Sequence, residues 1–467
     1  MASLQFHGGI TEDFIYDTEL DEPREPHLFR VHMILQLMFG MKPSPKMPKL
    51  MPTWAQSVLG VVAKAYCVLV IFGSFHLGVL FTKATLDALP TGELQRITDA
   101  LTMTIIYYFT AYSTTYWCVR SRRLHEYLQQ INQEYRHHSL AGVSFVNCYA
   151  AFSMSRNFTV IWIGACLGGV IFWGITPLVV GSHVLPLSCW YPFDALAPKT
   201  YPWIYATQLY GQVLVGVVFG IGGSLFVTLS LLLLAQFDVL YCSLKNLDAH
   251  AMLLSGQNSK VLGVLQKKLL LDPTNCELNQ YALLKEHPTD LFQLTLAKQR
   301  SRPDCALRDG FIQCILLHRF ILRCAAELEN LFSPYCLVKS LQITLQLCLL
   351  VFVGVSGQHD LLGIINQIQY FSLTLFELLM FTYCGEVLRR HSVRAGEAYW
   401  RGDWWKDAHQ IRQDVLIFLI NSRRAVQVTA GKFYVMDVNR LRSVITQAFS
   451  FLTLLQKLAA KKTETAN

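Results

Sequence analysis

Residues 433–458 read FYVMDVNRLRSVITQAFSFLTLLQKL, and this stretch decides how the rest of the chain is interpreted. Polar side chains recur along it at three- and four-residue steps, as they do on one face of a helix: Thr446, Gln447, Ser450, Thr453 and Gln456. Such a stripe is costly against lipid, where no water satisfies its hydrogen-bonding groups. Two interpretations are open. The stripe either lines a water-filled pore between copies of the chain, or it bonds neighbouring helices within one subunit.

The composition around this stretch is that of a membrane protein. Of the 467 residues, 52% are hydrophobic and 15% are charged, whereas soluble domains carry about 25% charged residues. The acidic N-terminus lacks the basic and apolar regions of a signal peptide, so the first span is expected to direct insertion. The net charge of +8 sorts by membrane side, so no nucleic-acid partner is predicted.

Seven segments are long and apolar enough to predict membrane spans: 55–81, 97–118, 145–181, 203–237, 312–355, 362–386 and 434–456. The third, fourth and fifth exceed the apolar thickness of a bilayer, so their inner ends are predicted to continue into water as helices. Most Lys and Arg residues outside the spans fall on one side. The positive-inside rule therefore predicts a cytoplasmic N-terminus and an extracellular C-terminus, opposite to a G-protein-coupled receptor.

The fold class predicted from these spans is an all-α membrane protein with a helical cytoplasmic anchor. The predicted segments are a cytoplasmic N-terminal segment (1–53), spans one to four (54–237), a cytoplasmic insertion (238–311), spans five and six with a cytoplasmic extension (312–386), the anchor helix (387–433), the last span (434–458) and an extracellular tail (459–467). Loosened composition over 249–305 predicts a largely disordered loop. The amphipathic pattern over 404–427 favours packing within the anchor over a helix on the membrane surface.

No catalytic, cofactor or metal-binding motif is recognisable, so an enzyme is not predicted. Aromatic residues concentrate in the middle spans, and rings with few polar groups suit a small apolar ligand. The candidate ligand-binding residues are Tyr107, Tyr108, Phe158, Trp162, Tyr205, Leu209, Tyr370 and Phe371. Anchoring at the headgroups or plain core packing is the alternative for each. Lys64, Arg156 and Glu377 are charged residues within spans, which marks them as candidates for function. The alternative for Lys64 is snorkelling to the cytoplasmic surface, and for Arg156 and Glu377 it is a position facing the cytoplasmic domain.

Three stretches resemble insect odorant receptors: Leu185–Asp194 (LPLSCWYPFD), Tyr383-Cys384-Gly385-Glu386, and Thr429-Ala430-Gly431-Lys432-Phe433 followed by Phe449–Leu455 (FSFLTLL). The resemblance implies a tetrameric, non-selective cation channel that opens on binding a small volatile odorant. It implies a pore lined by the last helix, with Gln447, Ser450, Leu452, Thr453 and Gln456 as candidate pore residues. It also implies a ligand pocket among the second, third, fourth and sixth spans, in the outer half of the membrane.

Within that family the chain resembles a tuning subunit. Gln456 matches the polar pore residue, whereas Thr453 stands where the co-receptor subunit has an apolar gate residue. The implied partners are membrane lipid, an odorant, and either the co-receptor in a heterotetramer or further copies of the chain in a homotetramer. The implied location is the plasma membrane of olfactory sensory neuron dendrites. A metabotropic seven-span receptor is the alternative; it requires an extracellular N-terminus, which an epitope tag would detect without permeabilisation.

Overall fold

The part of the chain that the structure describes is almost entirely helical. A computed structural model describes residues 29–43, 52–91, 93–134, 149–179, 184–245, 247–255, 305–356, 361–400 and 408–466. Its helices within those ranges are α1 (Arg30–Met38), α2 (Thr53–Ala88), α3 (Leu94–Glu134), α4 (Tyr149–Val179), α5 (Tyr201–Lys245), α6 (Leu247–Leu254), α7 (Ala306–Ser356), α8 (Leu361–Trp400), α9 (Ala408–Ser422) and α10 (Val438–Ala466). A short antiparallel hairpin, β1 (Thr429–Ala430) and β2 (Tyr434–Val435), precedes α10.

Each of the seven predicted spans overlaps one long helix: α2, α3, α4, α5, α7, α8 or α10. Among the described residues, five of these helices are long and apolar enough to cross a membrane by length and composition: α2, α4, α5, α7 and α8. The polar stripe of α10 and the charged inner half of α3 lower the hydropathy of these two helices. Most of the predicted insertion, 256–304, lies outside the described residues.

The central helix is α5, which contacts α1, α2, α3, α4, α7 and α8. Every residue from Gly216 to Leu244 is buried. Forty-five residues at 1.5 Å rise span about 68 Å, more than twice the hydrocarbon thickness. A helix of this length is too long to lie wholly within a bilayer if it spans one. The burial of α5 along its length comes from the other helices of the same chain.

The N-terminal end of α7, the C-terminal end of α8 and helix α9 pack around aromatic rings that belong to the same continuous core as α5. The ring of Phe311 on α7 lies 6.0 Å from Tyr399 of α8 and 5.7 Å from Phe418 of α9. His318 packs edge-on against the same Phe418 ring at 5.1 Å. Helix α9 spans Ala408–Ser422 within the predicted amphipathic segment 404–427, and its buried face packs on this core. Trp404 and Trp405, which belong to the predicted amphipathic segment, lie outside the described residues.

Helix α1 was not predicted from the sequence. It packs on α5, and the buried His32 side chain lies 2.9 Å from the Ser224 hydroxyl. The 1–53 segment, which the sequence assigned to the cytoplasm as a whole, thus includes a helix attached to the central one. By contrast, α2 presents large apolar side chains on its outer face, among them Val61, Val68 and Phe72. That surface is suited to contact with lipid.

Candidate ligand cavity and pore helix

A cavity lies between α3, α4, α5 and α8, the helices of the second, third, fourth and sixth predicted spans. It encloses about 570 Å³ of space not filled by protein atoms, part of it open to the outside. The cavity is lined by Met103, Ile106, Tyr107, Cys166, Gly169, Val170, Trp173, Leu187, Gln212, Val215, Asn366, Gln369, Tyr370 and Leu373. Its wall is thus mostly apolar, and none of these residues is charged.

The outer loop between α4 and α5 covers this cavity through Leu187. The fully buried Gln208 amide fixes the loop: its oxygen accepts the Leu187 N–H at 3.1 Å, and its nitrogen donates to the Leu187 carbonyl at 3.1 Å. The same nitrogen lies 3.1 Å from the Tyr191 hydroxyl. Burial raises the pKa of Tyr191 and that of Cys189 to about 12. Both groups are therefore neutral at physiological pH, and the loop brings no charge to the cavity through them.

Two of the predicted ligand-binding residues, Tyr107 and Tyr370, line the cavity. Two others lie beside its outer part. The Tyr205 hydroxyl donates to the Gly174 carbonyl, and a Cβ placed on Gly174 would lie 2.6 Å from Leu209 Cδ1. Tyr205 and Leu209 therefore hold the outer end of α4 against α5.

The structure does not bring the other four predicted residues to the cavity wall. Tyr108 faces α2, where its hydroxyl lies 3.1 Å from the Thr82 hydroxyl. Phe158 and Trp162 stack on each other at 6.4 Å, deeper along α4. Phe371 packs in a small core with residues of α7 and α10. The sequence places these rings on the correct helices but does not specify which way each one turns.

The cavity wall also carries polar groups that the sequence analysis did not select, the amides of Gln212, Asn366 and Gln369. Gln369 fits against α4 because residue 169 is glycine: a Cβ there would lie 2.7 Å from Gln369 Nε2. The sequence gives little sign of these amides, because a single Gln or Asn in an apolar helix points inward or toward a neighbour with equal ease. The cavity is less purely aromatic than predicted.

The predicted pore helix α10 has two distinct faces. Val444 and Ala448 are buried against α7 and α8, and Leu452 is buried on the same side. Gln447, Ser450, Thr453 and Gln456 are exposed, as is Thr446. The polar stripe is therefore not used for packing within one chain. Leu452, a predicted pore residue, turns toward its own chain, whereas the other four share the open surface.

The sequence profile of the family described as 7tm Odorant receptor matches residues 93–449, which is most of the chain. This chain belongs to the odorant receptor family. It is 68% identical over 464 residues to putative odorant receptor 85e of Drosophila melanogaster, covering 99% of each chain. It is 35% identical to odorant receptor 83a of the same species, covering 84% of this chain and 86% of the relative.

The fold is similar to that of an odorant receptor of known structure. The insect olfactory receptor OR5 of Machilis hrabei, solved in complex with eugenol, superposes with a TM-score of 0.66 at 12% identity, covering 92% of this chain and 97% of that one. Its structure without that ligand gives a TM-score of 0.65. This superposition shows the fold alone; the family match and the relatives identify the chain as an odorant receptor and do not support the metabotropic alternative.

A buried ion pair crosses the centre of the odorant receptor. Lys339 Nζ of α7 lies 2.8 Å from Glu377 Oε2 of α8, and the two side chains are 2% and 1% exposed. The ammonium group also lies 3.5 Å from the ring centroid of Phe219 and 4.4 Å from that of Phe109. Glu377 is one of the candidate charges predicted from the sequence, whereas its partner Lys339 is not. The two other charged residues within the predicted spans, Lys64 and Arg156, are both exposed.

The most distinctive family motif, Thr429–Phe433, forms the turn of the hairpin that leads into α10. The Gly431 N–H donates to the Ser333 carbonyl of α7 at 2.8 Å, and the Thr429 hydroxyl donates to Glu329 at 2.7 Å. Gly431 has φ +60°, and a Cβ there would meet Leu337 of α7 at 2.5 Å. Glycine is needed on both counts. The motif therefore attaches the start of the receptor's last helix to α7.

Proposed function

We propose that this odorant receptor is a ligand-gated, non-selective cation channel whose pore is lined by the polar face of α10. The observation that carries the proposal is the exposure of Gln447, Ser450, Thr453 and Gln456 on the surface of a single chain. Those side chains need water or polar partners. Copies of α10 around a shared axis would give them a common aqueous passage, narrowest near Thr453 and Gln456.

The proposed assembly is a tetramer of seven-span subunits with the N-terminus in the cytoplasm and the C-terminus outside. In this topology α3 and α10 join the five apolar helices as spans, α3 through its less charged outer half. An exposed apolar face on α9, formed by Leu416, Ile417 and Ile420, supports association of the cytoplasmic anchors, because isolated apolar patches of this kind commonly mark interfaces. The neighbouring subunits are copies of this chain or the co-receptor, in the plasma membrane of olfactory sensory neurons.

The proposed ligand is a small volatile hydrophobic molecule held in the cavity under the outer loop. Tyr107 and Tyr370 contact it directly, together with the apolar wall. Tyr205 and Leu209 fix the outer rim, and Tyr108, Phe158, Trp162 and Phe371 fix the helices that shape the cavity. Affinity then arises from burial of apolar surface, at about 25 cal/mol per Å².

The contacts between cavity and pore helix support a route for gating. Tyr370 and Glu377 lie about two turns apart on α8, and Glu377 pairs with Lys339 of α7. The next residue of α7, Ser340, hydrogen-bonds the Tyr434 hydroxyl of β2. The Arg440 guanidinium of α10 stacks over that Tyr434 ring at 4.0 Å. Ligand binding that shifts α8 outward would move α10 with it and widen the passage near Thr453.

Recording from excised membrane patches tests this function. Cells express the chain alone, or with a co-receptor subunit, and the inner face is perfused with solution that contains no nucleotide. A ligand-evoked cation current in patches from either kind of cell is expected, and untransfected cells are the control. A response that occurs only in intact cells and disappears when G proteins are inhibited would contradict the channel.

A further inference from the structure

We propose that the cavity selects molecules that combine a compact hydrocarbon body with one hydrogen-bonding oxygen, a hydroxyl in preference to a carbonyl. This inference rests on the proposed function, since it names the class of ligand that opens the channel. The groups that would read the oxygen are the Tyr107 hydroxyl and the Gln212 amide. Neither was selected from the sequence as a hydrogen-bonding group.

Several polar atoms of the cavity wall are buried and lack hydrogen-bond partners within the described part of the protein. Among the described residues, Tyr107 Oη, Gln212 Oε1 and Asn366 Oδ1 are buried without a hydrogen-bond partner in the protein. Tyr107 and Gln212 are 2% and 5% exposed. Buried polar atoms are rarely left unpaired, because each one loses its bonds to water. Tyr370 Oη is a fourth such atom, and all four belong to residues that line one cavity and come from three different helices, α3, α5 and α8.

The Tyr107 hydroxyl and the Gln212 amide lie beside the same stretch of α5. The Tyr107 hydroxyl lies against Gly211, where an added Cβ would come within 3.2 Å of the oxygen. Gln212 is the next residue of α5. The Tyr107 ring stacks on Phe81 at 5.2 Å with an angle of 15° between the planes, which holds its hydroxyl in place. The Tyr107 hydroxyl of α3 and the Gln212 amide of α5 thus belong to the same cavity wall, beside one stretch of α5.

The rest of the cavity wall is mostly apolar and carries no charge. Met103, Ile106, Val170, Val215 and Leu373 supply apolar contact, and no charged residue lines the cavity to neutralise an acid or an amine. A hydrocarbon would fill the space but leave the polar groups unpaired. Two of the four unpartnered atoms are amide oxygens, which only accept hydrogen bonds, and the other two are the hydroxyls of Tyr107 and Tyr370. A ligand hydroxyl can donate to one of the amide oxygens and accept from Tyr107, whereas a carbonyl can only accept.

The test compares ligands that differ only in this oxygen. Linear, monocyclic, bicyclic and aromatic carbon skeletons are each applied as the alcohol, the carbonyl compound, the methyl ether and the parent hydrocarbon. For the skeleton that evokes the largest current, the alcohol is expected to act at a concentration at least roughly tenfold lower than the hydrocarbon, in line with one or two buried hydrogen bonds. A hydrocarbon as potent as its alcohol would overturn the inference and leave the channel proposal intact. Silence of every compound would instead count against the channel itself.

Two variants assign the effect to the named residues. Tyr107→Phe and Gln212→Leu keep the volume of the side chain but remove the polar group. Each should raise the half-maximal concentration of the alcohol roughly fivefold and leave that of the hydrocarbon unchanged or lower. Val215→Ala is the matched control on the same wall, and it should shift alcohol and hydrocarbon alike. Equal shifts for both ligands in Tyr107→Phe and Gln212→Leu, with surface biotinylation at the wild-type level, would contradict the assignment.

Discussion

Helices α5 and α10 differ in how much of their surface is covered by other parts of the same chain. From Gly216 to Leu244 every residue of α5 is buried by other parts of the same chain. On α10 only one face is buried, against α7 and α8, and the polar stripe stays open. The surroundings of α5 are complete in a single chain. Those of α10 are complete only when something outside the chain covers its polar face.

This contrast separates stability from function along the molecule. Changes at buried positions around α5 should act on folding and surface expression, because packing there is dense. Changes on the open face of α10 should leave folding intact and act on permeation. The ligand cavity lies between these extremes, since it is buried but not filled.

The largest effect is expected from breaking the central ion pair. Lys339→Met leaves the Glu377 carboxylate buried without its counter-charge, and removal of one partner of a buried pair destabilises proteins by about 3–5 kcal/mol. Detergent-solubilised protein followed by fluorescence size-exclusion chromatography should therefore lose most of its monodisperse peak. The double variant Lys339→Met with Glu377→Met should recover much of it. A single variant as stable as wild type would show that the pair does not hold α7 to α8.

A smaller loss is expected from overfilling the contact between α5 and α7. A Cβ on Gly222 would clash with the Tyr335 hydroxyl, so Gly222→Val should destabilise the receptor by about 1–3 kcal/mol. Gly164→Val on α4 is the matched control, because nothing lies within 4 Å of its added Cβ. The comparison of melting temperatures should favour the control. Equal melting temperatures would mean that the centre of the chain is more loosely packed than described.

In the cavity, the effect should fall on ligand preference. Tyr370→Ala enlarges the cavity and should change the rank order of agonists at normal surface expression. Half-maximal concentrations should shift roughly tenfold, which corresponds to about 1.4 kcal/mol of lost contact. Trp162→Ala should behave differently, since Trp162 packs beside Gly223 and Phe376 away from the cavity. That variant should lower surface expression and preserve the rank order. Dose–response curves normalised to surface protein distinguish the two outcomes.

The smallest effect on stability is expected on the open face of α10. Thr453→Leu and Gln456→Leu should change the melting temperature little, because exposed substitutions fall within about 0.5 kcal/mol. Single-channel conductance or ion selectivity should nevertheless change in both. If permeation is unaltered in both variants, the pore does not run along this stripe.

The sequence predicts the long helices well because apolar length and periodicity are local signals. Contacts between distant segments are less accessible to it. Glu377 is recognisable as a charge inside a span. Lys339 also lies within the predicted fifth span, 312–355, but several other charged residues precede it there, so the sequence does not single it out. The role of Gln208 in fixing the outer loop has no local signature either. Motif residues such as Gly431 are noticeable in sequence, yet their reason, the close approach of α7, is visible only in three dimensions.

Cysteine accessibility along α10 tests the central claim most directly. Gln447, Ser450, Thr453 and Gln456 are replaced one at a time by Cys, and a charged, membrane-impermeant thiol reagent is applied while the ligand holds the channel open. The polar face is expected to react, so that current falls in these four variants, whereas wild type, Ala448→Cys and Leu452→Cys continue to conduct unchanged. Block from the buried positions, or no block from any polar position, would contradict a pore lined by this helix.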